Sequence, residues 1–199
     1  KLGHAHLRLG NVLSLLGDSE AAIAEYLQMR AIFEQLSKEH PDLPEYASGL
    51  AASYNNLGVL LDDLGKPDEA LEVYAKAITI REQLSKEHPD VPEYASGLAS
   101  SYFNLGNVLQ ETGKPDEALE VYAKAITIRE QLSKEHPDLP GYANGLAMAY
   151  NNLGVLLDNL GKPDEALEVY AKAITIIEQL SNEHLDLPEY ANGLASTYN

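Results

Sequence analysis

One string of sixteen residues, GKPDEALEVYAKAITI, begins at Gly65 and recurs at Gly113 and Gly161, so the chain repeats with a period of 48 residues. A diverged copy, GDSEAAIAEYLQMRAI, begins one period earlier at Gly17. Segments 46–93 and 94–141 are identical at 39 of 48 positions. The repeat divides the chain into four units, 1–45 with a truncated start, 46–93, 94–141 and 142–189, and 190–199 opens a fifth. A unit of this size is one supersecondary element, too small to enclose a core, so its apolar face must be covered by its neighbours.

Each unit reads as two helices. In the second unit the first helix is expected over Glu45 to Leu64, with Leu50, Tyr54, Leu57, Leu60, Leu61 and Leu64 at 3-4 spacing on one face. Gly65 is a helix stop, and Pro67 suits the first position of the next helix. Asp68 and Glu69 lie where the helix dipole favours negative charge. The second helix is expected over Pro67 to Glu87, with Ala70, Leu71, Tyr74, Ala77, Ile78, Ile80, Arg81 and Leu84 inward. Glu72–Lys76 and Glu82–Lys86 are spaced as i,i+4 ion pairs. Pro89 closes the helix and Pro92 opens the next unit. Short connections force neighbouring helices antiparallel. The fold class is therefore all-α, a solenoid of antiparallel helix pairs.

Charge narrows the partners. With 31 acidic against 14 basic residues the chain carries a formal charge of -17, which repels phosphate backbones and anionic headgroups. Nucleic acid and membrane are excluded as expected partners, and a neutral to basic protein or peptide is favoured. The absence of cysteine removes disulfides, thiolate ligands and cysteine nucleophiles, and fits a cytoplasmic setting. No apolar run approaches the roughly 20 residues that span a bilayer, and no secretory signal is visible.

The segment Tyr102-Phe103-Asn104-Leu105-Gly106-Asn107, followed by Gly113, Asp116-Glu117-Ala118-Leu119, Tyr122 and Ala125, resembles the tetratricopeptide repeat. Tyr54, Leu57, Gly58, Ala70, Tyr74 and Ala77 match in the second unit, and Tyr150, Leu153, Gly154, Ala166, Tyr170 and Ala173 in the fourth. By this reading Gly58 and Ala70 are small where two helices approach, and Tyr54 and Tyr74 fill wider gaps. The usual repeat of the family is about 34 residues. The surplus falls at Tyr46 to Ala52 and at Glu82 to His88, so both helices should be about two turns longer and their extensions should pack together. The pattern is similar to the long-helix arrays of kinesin light chains. The resemblance implies a right-handed superhelix whose first helices line a concave, peptide-holding groove. It implies no enzyme activity and no cofactor.

The repeat locates the variable face. Residues 65–90 and 113–138 are identical, and seven of the nine differences between the second and third units lie in the first helix. Positions 52, 55, 59, 62 and 63 share one helical face by i,i+3 and i,i+4 spacing. The candidate groove residues are Ala52, Asn55, Val59, Asp62 and Asp63; Ser100, Phe103, Asn107, Gln110 and Glu111; Met148, Asn151, Val155, Asp158 and Asn159; and Asn11 in the first unit. Drift on an exposed face is the competing explanation. No Lys or Arg occurs in 46–64, 94–112 or 142–160, so the cationic clamp by which some arrays of the family hold a terminal carboxylate looks absent. Asparagines offer amide donors and acceptors to a peptide backbone, Phe103 an apolar anchor, and the acids a match to basic ligands. Asn56, Asn104 and Asn152 serve equally well as scaffold bonds between helices.

Other chemistry is poorly supported. His40, His88, His136 and His184 recur once per unit and are spread along the array, whereas a metal site needs ligands converging on one ion, so they read as solvated helix ends. Asp62 and Asp63 read as a solvated face, and the glycines as helix contacts and stops. Two other roles stay open. Tyr190, Leu194 and Tyr198 at one end, and the truncated first unit at the other, are apolar without polar caps, which permits head-to-tail homo-association. The array could also regulate an enzyme domain carried elsewhere on a longer chain.

Overall fold

The computed structural model describes residues 1–183. His184, Tyr190, Leu194 and Tyr198 lie outside the described residues. Among the described residues there are eight helices and no strand: α1 (Leu2–Leu15), α2 (Ser19–Glu39), α3 (Pro44–Asp63), α4 (Pro67–Glu87), α5 (Pro92–Glu111), α6 (Pro115–Glu135), α7 (Pro140–Asn159) and α8 (Pro163–Glu183). The expected second helix matches α4 at both ends. The expected first helix is shifted by one residue from α3, because Pro44 takes the first helical position. The chain divides into two compact units, Lys1–Val108 and Leu109–Asn199, with the division inside α5.

In the first unit α1 packs on α2, α2 on α3, and α3 on α4, while α1 also touches α3. The turn within the α3–α4 hairpin shows why glycine recurs there. Gly65 adopts φ 68°, its N–H bonds the Asp62 carbonyl at 2.8 Å, and the Lys66 N–H reaches the Leu61 carbonyl at 2.9 Å. This double bond satisfies two orphan carbonyls and requires the left-handed conformation that glycine adopts without strain. At the α1–α2 turn, which lacks the proline, the Asp18 carboxylate caps α2 by accepting from the Ala21 N–H at 3.2 Å.

Glycine and tyrosine interlock in the hairpin core. A Cβ on Gly58 would lie 2.7 Å from two ring carbons of Tyr74. Gly58 is therefore the notch that the Tyr74 ring fills, not a point of close backbone approach. Ala70 and Tyr74 are buried beside Leu61 and Val108. Tyr54 does not fill a core gap; it is half-buried, with the Lys76 ammonium 5.8 Å from its ring centroid.

In the second unit α6 packs on α7 and α7 on α8. Gly154 receives the Tyr170 ring, with ring carbons from 2.5 Å, and Ala118, Tyr122, Ala125, Leu146, Ala147, Leu156 and Leu157 are buried. The expected Glu72–Lys76 pair does not form, Lys76 lying beside the Tyr54 ring instead, but the copy one period on, Glu120–Lys124, is paired at 2.8 Å. The Glu82 position behaves otherwise. The Glu82 and Glu130 carboxylates accept from the Tyr102 and Tyr150 hydroxyls of the following helix, so the expected Glu82–Lys86 pair gives way to a bond between hairpins.

The helix extensions meet as expected of the long repeat. His88 lies at the C-terminus of α4, its N–H bonded to the Leu84 carbonyl at 2.9 Å and its carbonyl accepting from Val91 at 3.1 Å. Its ring lies 5.8 Å from that of Tyr94 at the start of α5. His40–Tyr46 and His136–Tyr142 repeat the contact at 5.8 and 5.7 Å. These histidines fasten the turn between hairpins and are more than solvated helix ends.

Candidate peptide-binding face

The first helices divide their residues between core and open face. On α3, Ala51, Leu57, Leu60 and Leu61 are buried, while Val59 and Asp63 are exposed and Ala52, Asn55 and Asp62 are half-buried. On α7, Met148, Val155, Asp158 and Asn159 are exposed and Asn151 is half-buried. The α5 residues fall in both units. Ser100 and Asn107, half-buried, and Phe103, buried, belong to the first; Gln110, half-buried, and Glu111, exposed, belong to the second. Asn11 is exposed on α1. The burial of Phe103 makes it a wall, not a protruding anchor.

Several of these side chains also serve the scaffold. Asn55 Oδ1 accepts from the Ser101 hydroxyl at 3.1 Å and from Asn104 Nδ2 at 3.4 Å, so Asn104 takes the scaffold role open to it in the sequence. The direction of this network is forced. Arg81 can only donate; its Nη1 bonds the Gly97 carbonyl and, at 2.7 Å, Ser101 Oγ. Ser101 must then pass its own proton to Asn55 Oδ1, which turns the Asn55 amide donors away from the relay. Asn11 Oδ1 accepts from the Tyr26 hydroxyl at 2.8 Å, Gln110 Oε1 from Tyr122 at 3.4 Å, and Ser100 donates to the Ser96 carbonyl at 3.0 Å.

Burial pulls the Arg81 and Arg129 guanidinium groups down to about 10, because it strips hydration from the charged form. Sequence reasoning placed Arg81 on the inward face of its helix but gave it no partner. The signal was the unbroken Gly49, Gly97, Gly145 series: a Cβ on Gly49 would strike the Phe33 ring at 2.5 Å, and one on Gly97 would lie 3.2 Å from the Arg81 guanidinium. Phe33 and Arg81 are one period apart, so a single slot between hairpins accepts either an aromatic ring or a guanidinium.

Carboxylates lie at the same ends of the hairpins as the buried tyrosines. Burial first, then Asp62 and Asp63, hold the Tyr74 phenol well above its ordinary range. Burial and Glu111 push Tyr122 up to about 12, against a lowering hydrogen bond from Asn152. In the first unit a cleft of about 690 Å³ opens among α1, α2, α3 and the start of α5, lined by Met29, Phe33, Glu45, Tyr46, Ala52 and Tyr94. Among the described residues no group of three or more His, Asp or Glu could hold a metal ion, and no helix is long and apolar enough to cross a membrane.

Comparison with known proteins adds the family. A family model described as tetratricopeptide repeat matches residues 2–83 and 49–131, and a second with the same description matches 146–186. The crystal structure of BtubC (BKLC) from P. vanneervenii superposes with a TM-score of 0.60 at 21% identity, over 99% of this chain and 79% of that one. The crystal structure of MamA superposes with a TM-score of 0.50 at 21% identity, over 91% of this chain and 94% of that one. At such identity the likeness establishes the all-α solenoid fold and nothing more specific. Among curated protein sequences none matches.

Proposed function

The chain belongs to the tetratricopeptide repeat family, whose repeats are protein-interaction scaffolds, and from that premise we propose that its first helices bind a neutral to basic peptide or partner segment. One observation carries the reading. Val59, Met148 and Val155 stay exposed at positions where the repeats differ, although the repeats copy the rest of the scaffold almost without change. Within each unit, exposed apolar side chains with amides and carboxylates on the same helix offer apolar anchors with a polar surround. Asp63, Glu111, Asp158 and the absence of Lys and Arg from these stretches set the sign of the partner's charge.

The reading assigns no catalytic role, cofactor or metal to the chain. Its test is a fluorescence titration with pools of basic and acidic peptides of matched hydropathy. The basic pool should bind more tightly, and tightness should fall with salt. Met148→Ser and Val155→Ser should each weaken that binding roughly five- to tenfold, as loss of an apolar anchor does, with the helical circular dichroism unchanged. Equal binding of the two pools, or indifference to both substitutions, would sink the proposal.

A further inference from the structure

Two serines one period apart, Ser53 and Ser101, are both fully buried, yet they aim their protons differently. Ser53 lies on α3, where the slot between hairpins holds the Phe33 ring, and its hydroxyl turns back to the Leu50 carbonyl of its own helix at 2.6 Å. Ser101 lies on α5, where the slot holds Arg81, and its hydroxyl crosses to Asn55 Oδ1 on α3 at 3.1 Å. The guanidinium accounts for the difference. Arg81 Nη1 donates to Ser101 Oγ at 2.7 Å, so the hydroxyl proton must point away from the cation, and Asn55 Oδ1 is the acceptor it meets.

Asn55 is thereby held in one orientation. Its Oδ1 also accepts from Asn104 Nδ2 at 3.4 Å, which fills both lone pairs. Among the described residues no acceptor takes the Asn55 Nδ2 protons, and that nitrogen is not sealed from solvent. Asn55 therefore offers a ligand two donors and no acceptor. One period earlier the three relay positions hold Phe33, Ser53 and Leu7; one period later they hold Arg129, Ala149 and Phe103. Of these three sets only the middle one carries guanidinium, hydroxyl and carboxamide together. Local charge selects the acceptor. Asp62 and Asp63 follow on α3, and 46–64 has no Lys or Arg to balance them, so a carboxylate or phosphate is repelled and a neutral carbonyl is not.

We propose that Arg81 is a positioning residue for ligand binding: acting through Ser101, it holds the Asn55 carboxamide as a donor-only contact for a main-chain carbonyl of the bound peptide. The assignment rests on the peptide-binding reading above and adds which group Asn55 meets and what aims it.

The experiment is a fluorescence titration of the whole chain with the basic peptide pool, comparing Asn55→Ala, Arg81→Met, Ser101→Ala and the latter two each combined with Asn55→Ala. Titrations are run where circular dichroism shows every variant fully helical. Alanine already stands at the Ser101 position one period on, as Ala149, so Ser101→Ala keeps the fold if Arg81→Met does not. Asn55→Ala should weaken binding roughly three- to tenfold, as loss of one hydrogen bond does. Arg81→Met and Ser101→Ala should each weaken it roughly three- to fivefold, because a released carboxamide returns to several orientations. In the Asn55→Ala background neither should weaken it further. Equal weakening with and without Asn55 would make Arg81 and Ser101 merely structural and overturns the proposal. Wild-type binding of the basic pool with Arg81→Met and Ser101→Ala as tight as wild type overturns this assignment alone. A wild-type chain that binds neither basic nor acidic pool overturns the peptide reading and this assignment with it.

Discussion

Replacing Gly58 by alanine tests whether the Gly–Tyr interlock, and not helix propensity, decides stability inside a hairpin. The new Cβ would lie 2.7, 2.7 and 3.0 Å from three carbons of Tyr74, where carbon atoms prefer about 3.5–4.0 Å. The ring would have to retreat by roughly 1 Å. Tyr74 is 1% exposed and packed among Leu61, Ala70 and Val108, so it has nowhere to go. Two terms oppose each other. Alanine in place of glycine within a helix gains about 1 kcal/mol, and overpacking a tight core costs about 1–3 kcal/mol. Because the buried ring cannot retreat, the steric term takes the upper part of its range, about 2–3 kcal/mol, and the net loss should be about 1–2 kcal/mol, or about 2–8 °C in Tm for a chain of this size. Gly145→Ala is the control. Its Cβ would lie 3.7 Å from the Arg129 guanidinium, an ordinary contact, so the helix gain stands unopposed and Tm should rise by about 1–4 °C. Thermal melts followed at 222 nm would read both. A double-mutant cycle of Gly58→Ala with Tyr74→Leu should show coupling, because the smaller side chain relieves the clash. A Gly58→Ala protein as stable as wild type, or a cycle without coupling, would refute the reasoning.

The slot between hairpins should tolerate loss of charge better than loss of volume. Arg81→Ala and Arg81→Met both remove the donors to the Gly97 carbonyl and Ser101, but only alanine also leaves a void, so alanine should lose about 2–4 kcal/mol and methionine, which fills the slot that Phe33 fills one period earlier, about 1–2 kcal/mol. Urea midpoints would rank the two, and equal losses would contradict the account. Alkaline pH should unfold the chain. Tyr26, Tyr74, Tyr94, Tyr122, Tyr150 and Tyr170 are all raised, chiefly by burial. Tyr122, for one, keeps its proton to about 12 when folded, so its contribution is complete below about pH 10 and is lost as pH rises toward 12. Arg81 and Arg129, lowered to about 10, act in the opposite sense but are outnumbered. The urea midpoint should fall between pH 9 and pH 11, less steeply in Tyr122→Phe; a rising midpoint would show that the arginines dominate.

The helices were legible because glycine, proline and a 3-4 apolar stripe mark each boundary three times over. Pro67–Glu87 could be read to the residue for that reason. Side-chain partnership between hairpins was less legible. The Glu82 spacing to Lys86 suggested a local pair, but Tyr102, twenty positions on, offers a hydroxyl donor at the edge of the interface, and that bond takes the carboxylate. The Arg81–Ser101–Asn55 relay was hidden for the same reason: it joins residues up to 46 apart, and no helical period links them. The candidate face was legible as a pattern of variation. Which of its members are bound into the scaffold, as Asn55, Asn11 and Gln110 are, depends on neighbours that only the fold brings near.

Stacking between hairpins is the source of stability in this account, so the decisive measurement is the circular dichroism of one hairpin taken alone. A peptide of residues 44–91 holds α3 and α4 with their own turn but loses the cover of α2 and α5. It should show little helix and no cooperative melt at temperatures where the whole chain is fully helical. A peptide as helical as its parent, melting in a sharp transition, would contradict the account.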